Sequence, residues 1–177
     1  WPWLSVGWRL ILAKLNATSD ALKKRLITKP IINMYIIPSI LVQSETEFLQ
    51  QTAAIEKHVP MIQIDIADGF FVPNTTWADP ETTRNNINIT CELHLMVTDP
   101  LSVVKKWANV PQIKRVLFPI EYTGDINQVI EEIHQNGWQA SLVLNPETHT
   151  ETLKPYLEKI DGVMFMGVHP GKQGQEL

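Results

Sequence analysis

Met61-Ile62-Gln63-Ile64-Asp65-Ile66-Ala67-Asp68-Gly69 is the stretch whose reading decides the fold. Its first six residues, Met61 to Ile66, are rich in β-branched and apolar side chains and read as a strand. Side chains alternate across a strand, so Gln63, Asp65 and Ala67 share one face while Ile62, Ile64 and Ile66 share the other. A strand that is apolar on one face and carries an ionisable group toward its carboxyl end on the other suits a barrel, where active sites lie at that end. Thr90–Met96 repeats the arrangement, with Glu92, His94 and Met96 opposing Cys91, Leu93 and Leu95. Taken singly, an aspartate in a strand reads as a solvated edge residue and a histidine as a packing residue. At matching depth on neighbouring strands they read together, as a candidate site.

Outward from this pair, strands and helices alternate. Strands are expected at 35–41, 61–66, 90–96, 115–120, 139–144 and 162–168. Ser44-x-x-Glu47 is a capping box that opens a helix running to about His58. A short helix follows from about Asp79. Asp99-Pro100 supplies an N-cap and an N1 proline for a helix ending near Asn109. Asp125-x-x-Gln128 caps a helix that Gly137 ends. Thr148–Ile160 reads as a helix, with Pro155 arguing for a kink or a later start. Strands separated by helices imply a parallel sheet. Periodicity cannot separate a doubly wound open sheet from a barrel, and the polar groups at the strand ends favour the barrel.

The chain's 177 residues, 44% hydrophobic and 19% charged, suffice for one globular domain with a substantial core. A net charge of −4 gives no nucleic-acid footprint, and Lys23-Lys24-Arg25 reads as a solvated helix face. No run approaches the roughly 18 apolar residues of a membrane span. One cysteine, Cys91, excludes an internal disulfide framework and fits a reducing compartment, so a cytoplasmic protein is expected. Residues 1–33 stand apart, with three of the six tryptophans and a basic stretch from Arg9 to Lys29. Met34 immediately precedes the first expected strand and reads as the natural start, with an amphipathic leader or an added helix as the other readings of 1–33.

Several motifs in series carry a family resemblance. They are Ile37-Pro38-Ser39-Ile40-Leu41, Asp65-Ile66-Ala67-Asp68-Gly69-Phe70-Phe71-Val72-Pro73-Asn74 and His94-Leu95-Met96. Leu142-Val143-Leu144-Asn145-Pro146 and Met166-Gly167-Val168-His169-Pro170-Gly171-Lys172-Gln173-Gly174-Gln175 continue them. Each alone is weak, but in this order, across residues 35–175, they resemble the ribulose-phosphate 3-epimerases. The resemblance implies a (β/α)8 TIM barrel, incomplete here with about six of eight β/α units, formed by residues 34–177. It also implies metal-assisted epimerisation of D-ribulose 5-phosphate to D-xylulose 5-phosphate through an enediolate. On this resemblance Asp65 is the base and a ligand of a divalent metal cation, His94 is a second ligand beside the substrate, and Ser39 lies near the substrate hydroxyls. Met96 and Met166 shape the cavity, with plain core filling as their other reading. Gly171, Lys172, Gln173 and Gly174 form the phosphate loop, where glycines let backbone N–H groups approach the anion.

The sequence departs from the family pattern at three places. Gln63 stands where a metal-ligating histidine is usual, and an amide oxygen suits harder cations than imidazole does. Ala67 stands where a methionine is usual. The second catalytic aspartate belongs on a seventh strand, whereas 144 residues follow residue 33 and such barrels need at least about 200. The expected partner is a small sugar phosphate, with no nucleic acid and no membrane. The unpaired edges of an incomplete barrel predict a chain that is poorly soluble or homo-oligomeric. The other functional readings are a non-catalytic sugar-phosphate-binding homologue and a related enzyme of the hexulose- or allulose-phosphate type.

Overall fold

The computed structural model of the protein describes residues 35–171. Residues 1–33, Lys172, Gln173 and Gly174, to which the sequence reading assigns roles, lie outside the described residues. Among the described residues, six strands alternate with four α-helices. They are β1 (Ser39–Ile40), α1 (Glu45–Ile55), β2 (Met61–Ala67), α2 (Pro80–Asn86), β3 (Thr90–Met96) and α3 (Pro100–Trp107). β4 (Ile113–Pro119), α4 (Ile126–Gln135), β5 (Gln139–Leu144) and β6 (Gly162–Phe165) complete the order.

Each helix starts where a side-chain oxygen satisfies its orphan N–H groups. Ser44 accepts from Glu47 N–H, Asp79 from Thr82, Asp99 from Ser102, and Asp125 from Asn127 and Gln128. The Glu47 carboxylate reaches back to the N–H of Gln43, one residue before the cap, at 2.9 Å. α4 ends in a Schellman turn: Gly137 has φ +73°, its N–H reaches His134 O, and Trp138 N–H reaches Ile133 O.

All five strand pairings are parallel, and the spatial order is β1-β2-β3-β4-β5-β6. That order decides between the two architectures. A doubly wound sheet reverses its winding and places helices on both faces, whereas strands added always on the same side give a barrel-type sheet. The packing agrees. Ile62, Ile64, Leu93, Leu95, Val116, Phe118 and Leu142 form one core with Phe48, Val104, Trp107, Val129 and Ile133 from the helices. The opposite face holds Asp65, Glu92, His94 and Ser141, all buried, although the buried apolar residues of α1, α3 and α4 belong to the other core. These inner side chains bury one another, as a concave surface requires. The chain is an α/β fold consistent with a partial TIM barrel.

Three elements differ most from the sequence reading. The expected strand 35–41 narrows to Ser39–Ile40, because β1 lies at the sheet edge with β2 alone beside it. The expected strand 162–168 narrows to Gly162–Phe165 for the same reason at β6, although Met166 N–H still reaches Leu144 O at 3.0 Å. The segment Thr148–Ile160 is not an α-helix. It forms a 3-10 turn at Thr150–Leu153 and then further tight turns, with Lys154 N–H on Glu151 O and Tyr156 N–H on Leu153 O. Pro155 has no N–H to close an α-turn, so the chain keeps the shorter bonding pattern around it.

Trp107 is almost wholly buried against this outer core. Trp107→Ala should lower the unfolding free energy by about 3–5 kcal/mol, read from urea denaturation. Burial pushes the Cys91 thiol up to about 12, so it is protonated at neutral pH. A thiol reagent should therefore leave Cys91 untouched in the folded chain and modify it only as the chain unfolds.

Candidate functional site

Parallel pairing in register sets the inner face in layers. Gln63 lies opposite Glu92, Asp65 opposite His94, and Ala67 opposite Met96. Ser39 lies opposite Gln63 on the other side, one step deeper than Asp65.

The deepest layer is an ion pair. Glu92 is fully buried and accepts from Arg115 Nη1 at 3.1 Å. The same guanidinium donates through Nε and Nη2 to Gln139 Oε1 at 3.1 and 2.9 Å. The sequence placed Glu92 on the inner face but gave it no role, because its partner comes from the next strand.

The middle layer holds the chemistry. His94 Nδ1 lies 3.0 Å from Asp65 Oδ1. Gln63 Nε2 donates to the same oxygen at 2.5 Å and lies 3.4 Å from His94 Nδ1. Gln63, Asp65 and His94 are 4%, 7% and 4% exposed, so their contacts are made out of bulk water. Gln63 Oε1 is buried with no hydrogen-bond partner. Behind the site, Thr76 clamps the strand end: its Oγ1 donates to Asp65 O at 2.8 Å and accepts from Ala67 N–H at 2.9 Å. Among the described residues no group of three His, Cys, Asp or Glu side chains lies where it could hold a metal ion. A carboxylate, an imidazole and an amide do converge, from Asp65, His94 and Gln63.

Above them, two apolar patches flank the mouth. Met96 packs with Ala67, Val72 and Phe71, while Met166 packs with Leu117, Val143 and Met164. The two methionines thus line different parts of the concave face. Gly171 adopts φ +100°, and a Cβ there would fall 2.5 Å from Asn74 Oδ1 and 2.9 Å from Val72 Cβ. Only glycine lets the chain after β6 come this close to the loop after β2.

That β2 loop is held by Asp68. Its Oδ1 accepts the N–H groups of Phe70 and Phe71, each at 2.8 Å. Its Oδ2 accepts the N–H and hydroxyl of Thr98 at 2.7 and 2.8 Å. Burial alone would raise the carboxyl, but the N–H groups of Thr98, Phe71 and Phe70 and the Thr98 hydroxyl outweigh it, and Asp68 stays below the ordinary aspartate value. The sequence reading quoted Asp68 without assigning it a role. An aspartate followed by glycine is a turn signal, and its oxygen bonding N–H groups two and three residues on is the expected local geometry.

The sequence model of the family described as "Ribulose-phosphate 3 epimerase family" matches residues 35–177. Among curated proteins, the ribulose-phosphate 3-epimerase of Chlamydia trachomatis is 30% identical over 123 residues, covering 68% of this chain and 52% of that protein. The ribulose-phosphate 3-epimerase of Helicobacter pylori is 30% identical over 148 residues, covering 81% and 66%. The one from Schizosaccharomyces pombe is 29% identical over 146 residues, covering 79% and 64%. The chain therefore spans between about half and two thirds of the length of these relatives.

The Asp68 geometry has a pH consequence. A carboxyl whose folded pKa is depressed contributes stability that is fully present above its unfolded value, about 3.9, and is lost as pH falls through the lower folded value. Thermal stability should therefore drop below about pH 4, and Asp68→Asn should remove part of that slope. Asp99 and Asp161 are also lowered and carry other parts of it. Melting curves between pH 6 and 3 check this.

Proposed function

The chain belongs to the ribulose-phosphate 3-epimerase family, and from that premise we propose that it acts on D-ribulose 5-phosphate and D-xylulose 5-phosphate, with Asp65 as the base on one face of the sugar. The observation that carries this reading is the buried contact of Asp65 with His94 at matching depth on adjacent strands.

The two sugars differ only in configuration at C3, next to the C2 ketone. Asp65 takes the C3 proton, and the C3–H electron pair moves into the C2–C3 bond while the carbonyl π pair moves onto oxygen, giving an enediolate. Return of a proton to the same face regenerates the substrate, and delivery to the opposite face gives the epimer. In the family resemblance that second acid is an aspartate on a seventh strand. Asp65 can act as base because its Oδ1 carries the donors from Gln63 and His94 while Oδ2 accepts no hydrogen bond from the described residues.

Enediolate charge needs an electrophile. A divalent cation, held by Asp65, His94 and Gln63 Oε1, would supply Lewis-acid stabilisation of that charge. Asp65 Oδ1 and His94 Nδ1 lie 3.0 Å apart, while Gln63 turns its Nε2 to both, so its oxygen, buried without a partner, would join them only after a half-turn of the amide. His94 orients the carboxylate and stays within the dry layer. Met96 and Ala67 on one side and Met166 on the other give the sugar carbons an apolar wall. Ser39 meets the hydroxyls, and the loop Gly171–Gly174, with Lys172 and Gln173, takes the phosphate.

Incubation with ribulose 5-phosphate in deuterated water tests the base directly. Asp65-dependent deuterium should enter C3, and Asp65→Asn should slow that exchange by about a thousandfold or more while sugar-phosphate binding changes little. Exchange at the original rate in Asp65→Asn would overturn the assignment. Exchange into a hexulose phosphate instead would move the chain to a related specificity.

A further inference from the structure

The strand that carries Asp65 loses its β1 neighbour just where the polar groups converge. β1 pairs with β2 only at Ser39↔Gln63 and Ile40↔Ile64. Gln63 N–H donates to Pro38 O at 2.9 Å on that side. Backbone groups point alternately to the two sides of a strand, so those of Asp65 and Ala67 face the β1 side as well. The Asp65 carbonyl and the Ala67 N–H lie past the last ladder pair, and a peptide group left unpaired inside a protein is costly.

Thr76 takes the place of the absent ladder. Its Oγ1 donates to Asp65 O at 2.8 Å and accepts from Ala67 N–H at 2.9 Å, while its own N–H donates to Ala67 O at 3.2 Å. The residues on either side fasten it to the chain after β1. Trp77 N–H donates to Val42 O at 2.8 Å, and Gln43 Nε2 to Thr75 O at 2.7 Å. Residues 75–77 therefore stand between the carboxyl ends of the two strands.

Resting on Asp65 as the base, we infer that Thr76 is a positioning residue for it. The carbonyl carbon and Cβ of Asp65 share one Cα, so a fixed carbonyl fixes the direction in which the carboxylate leaves the strand. The pairing of Asp65 with His94 holds the other side. The hydroxyl gives its one proton to Asp65 O and has none for a substrate, so it acts through Asp65 alone. A reacting group displaced by about 1 Å loses rate on the order of a hundredfold.

The test measures deuterium entry at C3 of ribulose 5-phosphate, across substrate concentrations, on the full 177-residue chain and its Thr76→Val and Thr76→Ser variants. Valine keeps the shape and removes the hydroxyl. Thr76→Val should lower kcat for exchange by about ten- to a hundredfold and change KM by less than about twofold, and Thr76→Ser should keep the original rate. Because Asp65 Oδ1 lies 3.0 Å from His94 Nδ1, the His94 ring 15N resonances should move in Thr76→Val and stay in place in Thr76→Ser. Circular dichroism checks folding, and Thr76→Ala replaces Thr76→Val if the latter does not fold. In the unaltered chain the Ala67 amide should exchange with D2O at least about a hundredfold more slowly than an open amide, a measurement that needs no variant. Rapid exchange at Ala67, an unmoved His94 ring, or Thr76→Val at the original kcat overturns the positioning role and leaves Asp65 as base. Exchange at C3 that is absent, or unaffected by Asp65→Asn, removes the base and the positioning role with it.

Discussion

The in-register parallel pairing of β2 with β3 is the constraint on which the site depends. Asp65 and His94 meet because their Cα atoms are ladder partners. A slip of one residue would set Asp65 beside Leu93 or Leu95 and turn the imidazole into the helix layer. What prevents the slip is the other face. Ile62, Ile64, Leu93 and Leu95 are all essentially unexposed there, so a slip of β3 would take Leu93 and Leu95 out of that core at about 1.5–3 kcal/mol each. The hydrophobic side of the sheet thereby fixes the geometry of the polar side, although no apolar residue touches the reacting groups.

Two carboxylates on the inner face show how burial separates structure from chemistry. Glu92 is fully buried against Arg115, whose charge is permanent and whose Nε and Nη2 donate to Gln139. Removing Arg115 would leave the Glu92 charge buried without its guanidinium, so this pair holds its layer together. Asp65, one layer nearer the mouth, is surrounded by an imidazole and a neutral amide, neither of which is permanently charged. The depth of the residue along the strand decides which role a carboxylate has.

Much of this was legible in the sequence, for identifiable reasons. Caps at Ser44, Asp79, Asp99 and Asp125 and the stop at Gly137 are local, and each helix begins or ends where they predict. The alternation in 61–67 and 90–96 placed Gln63, Asp65 and His94 on one face, because the strand period is a property of the backbone alone. Periodicity does not distinguish a sheet wound one way from one wound both ways, but the polar groups at the strand ends favoured the barrel, and the observed strand order agrees. The extent of β1 and β6 was overestimated because apolar composition reports strand tendency, while the ladder ends where a neighbour ends. Glu92 with Arg115, and Asp68 with Thr98, escaped because alternation puts a residue on a face without naming its partner on the next strand or loop.

Beyond the strand ends, the loops are also tied to one another, mostly by a carboxylate of one loop accepting from the next. Asp68 binds the loops after β2 and β3 through Thr98. Glu121 accepts from Asn145 N–H and the Thr148 hydroxyl, joining those after β4 and β5, and His169 meets Glu147 between those after β5 and β6. On the other flank, Gln43 Nε2 donates to Thr75 O, and Trp77 N–H to Val42 O, between the loops after β1 and β2. Gly171 then lies against Val72 and Asn74, bringing the loop after β6 to the loop after β2. Replacing a residue at the mouth changes what the site meets, while the register that brings Asp65 to His94 stays under the control of side chains on the opposite face of the sheet.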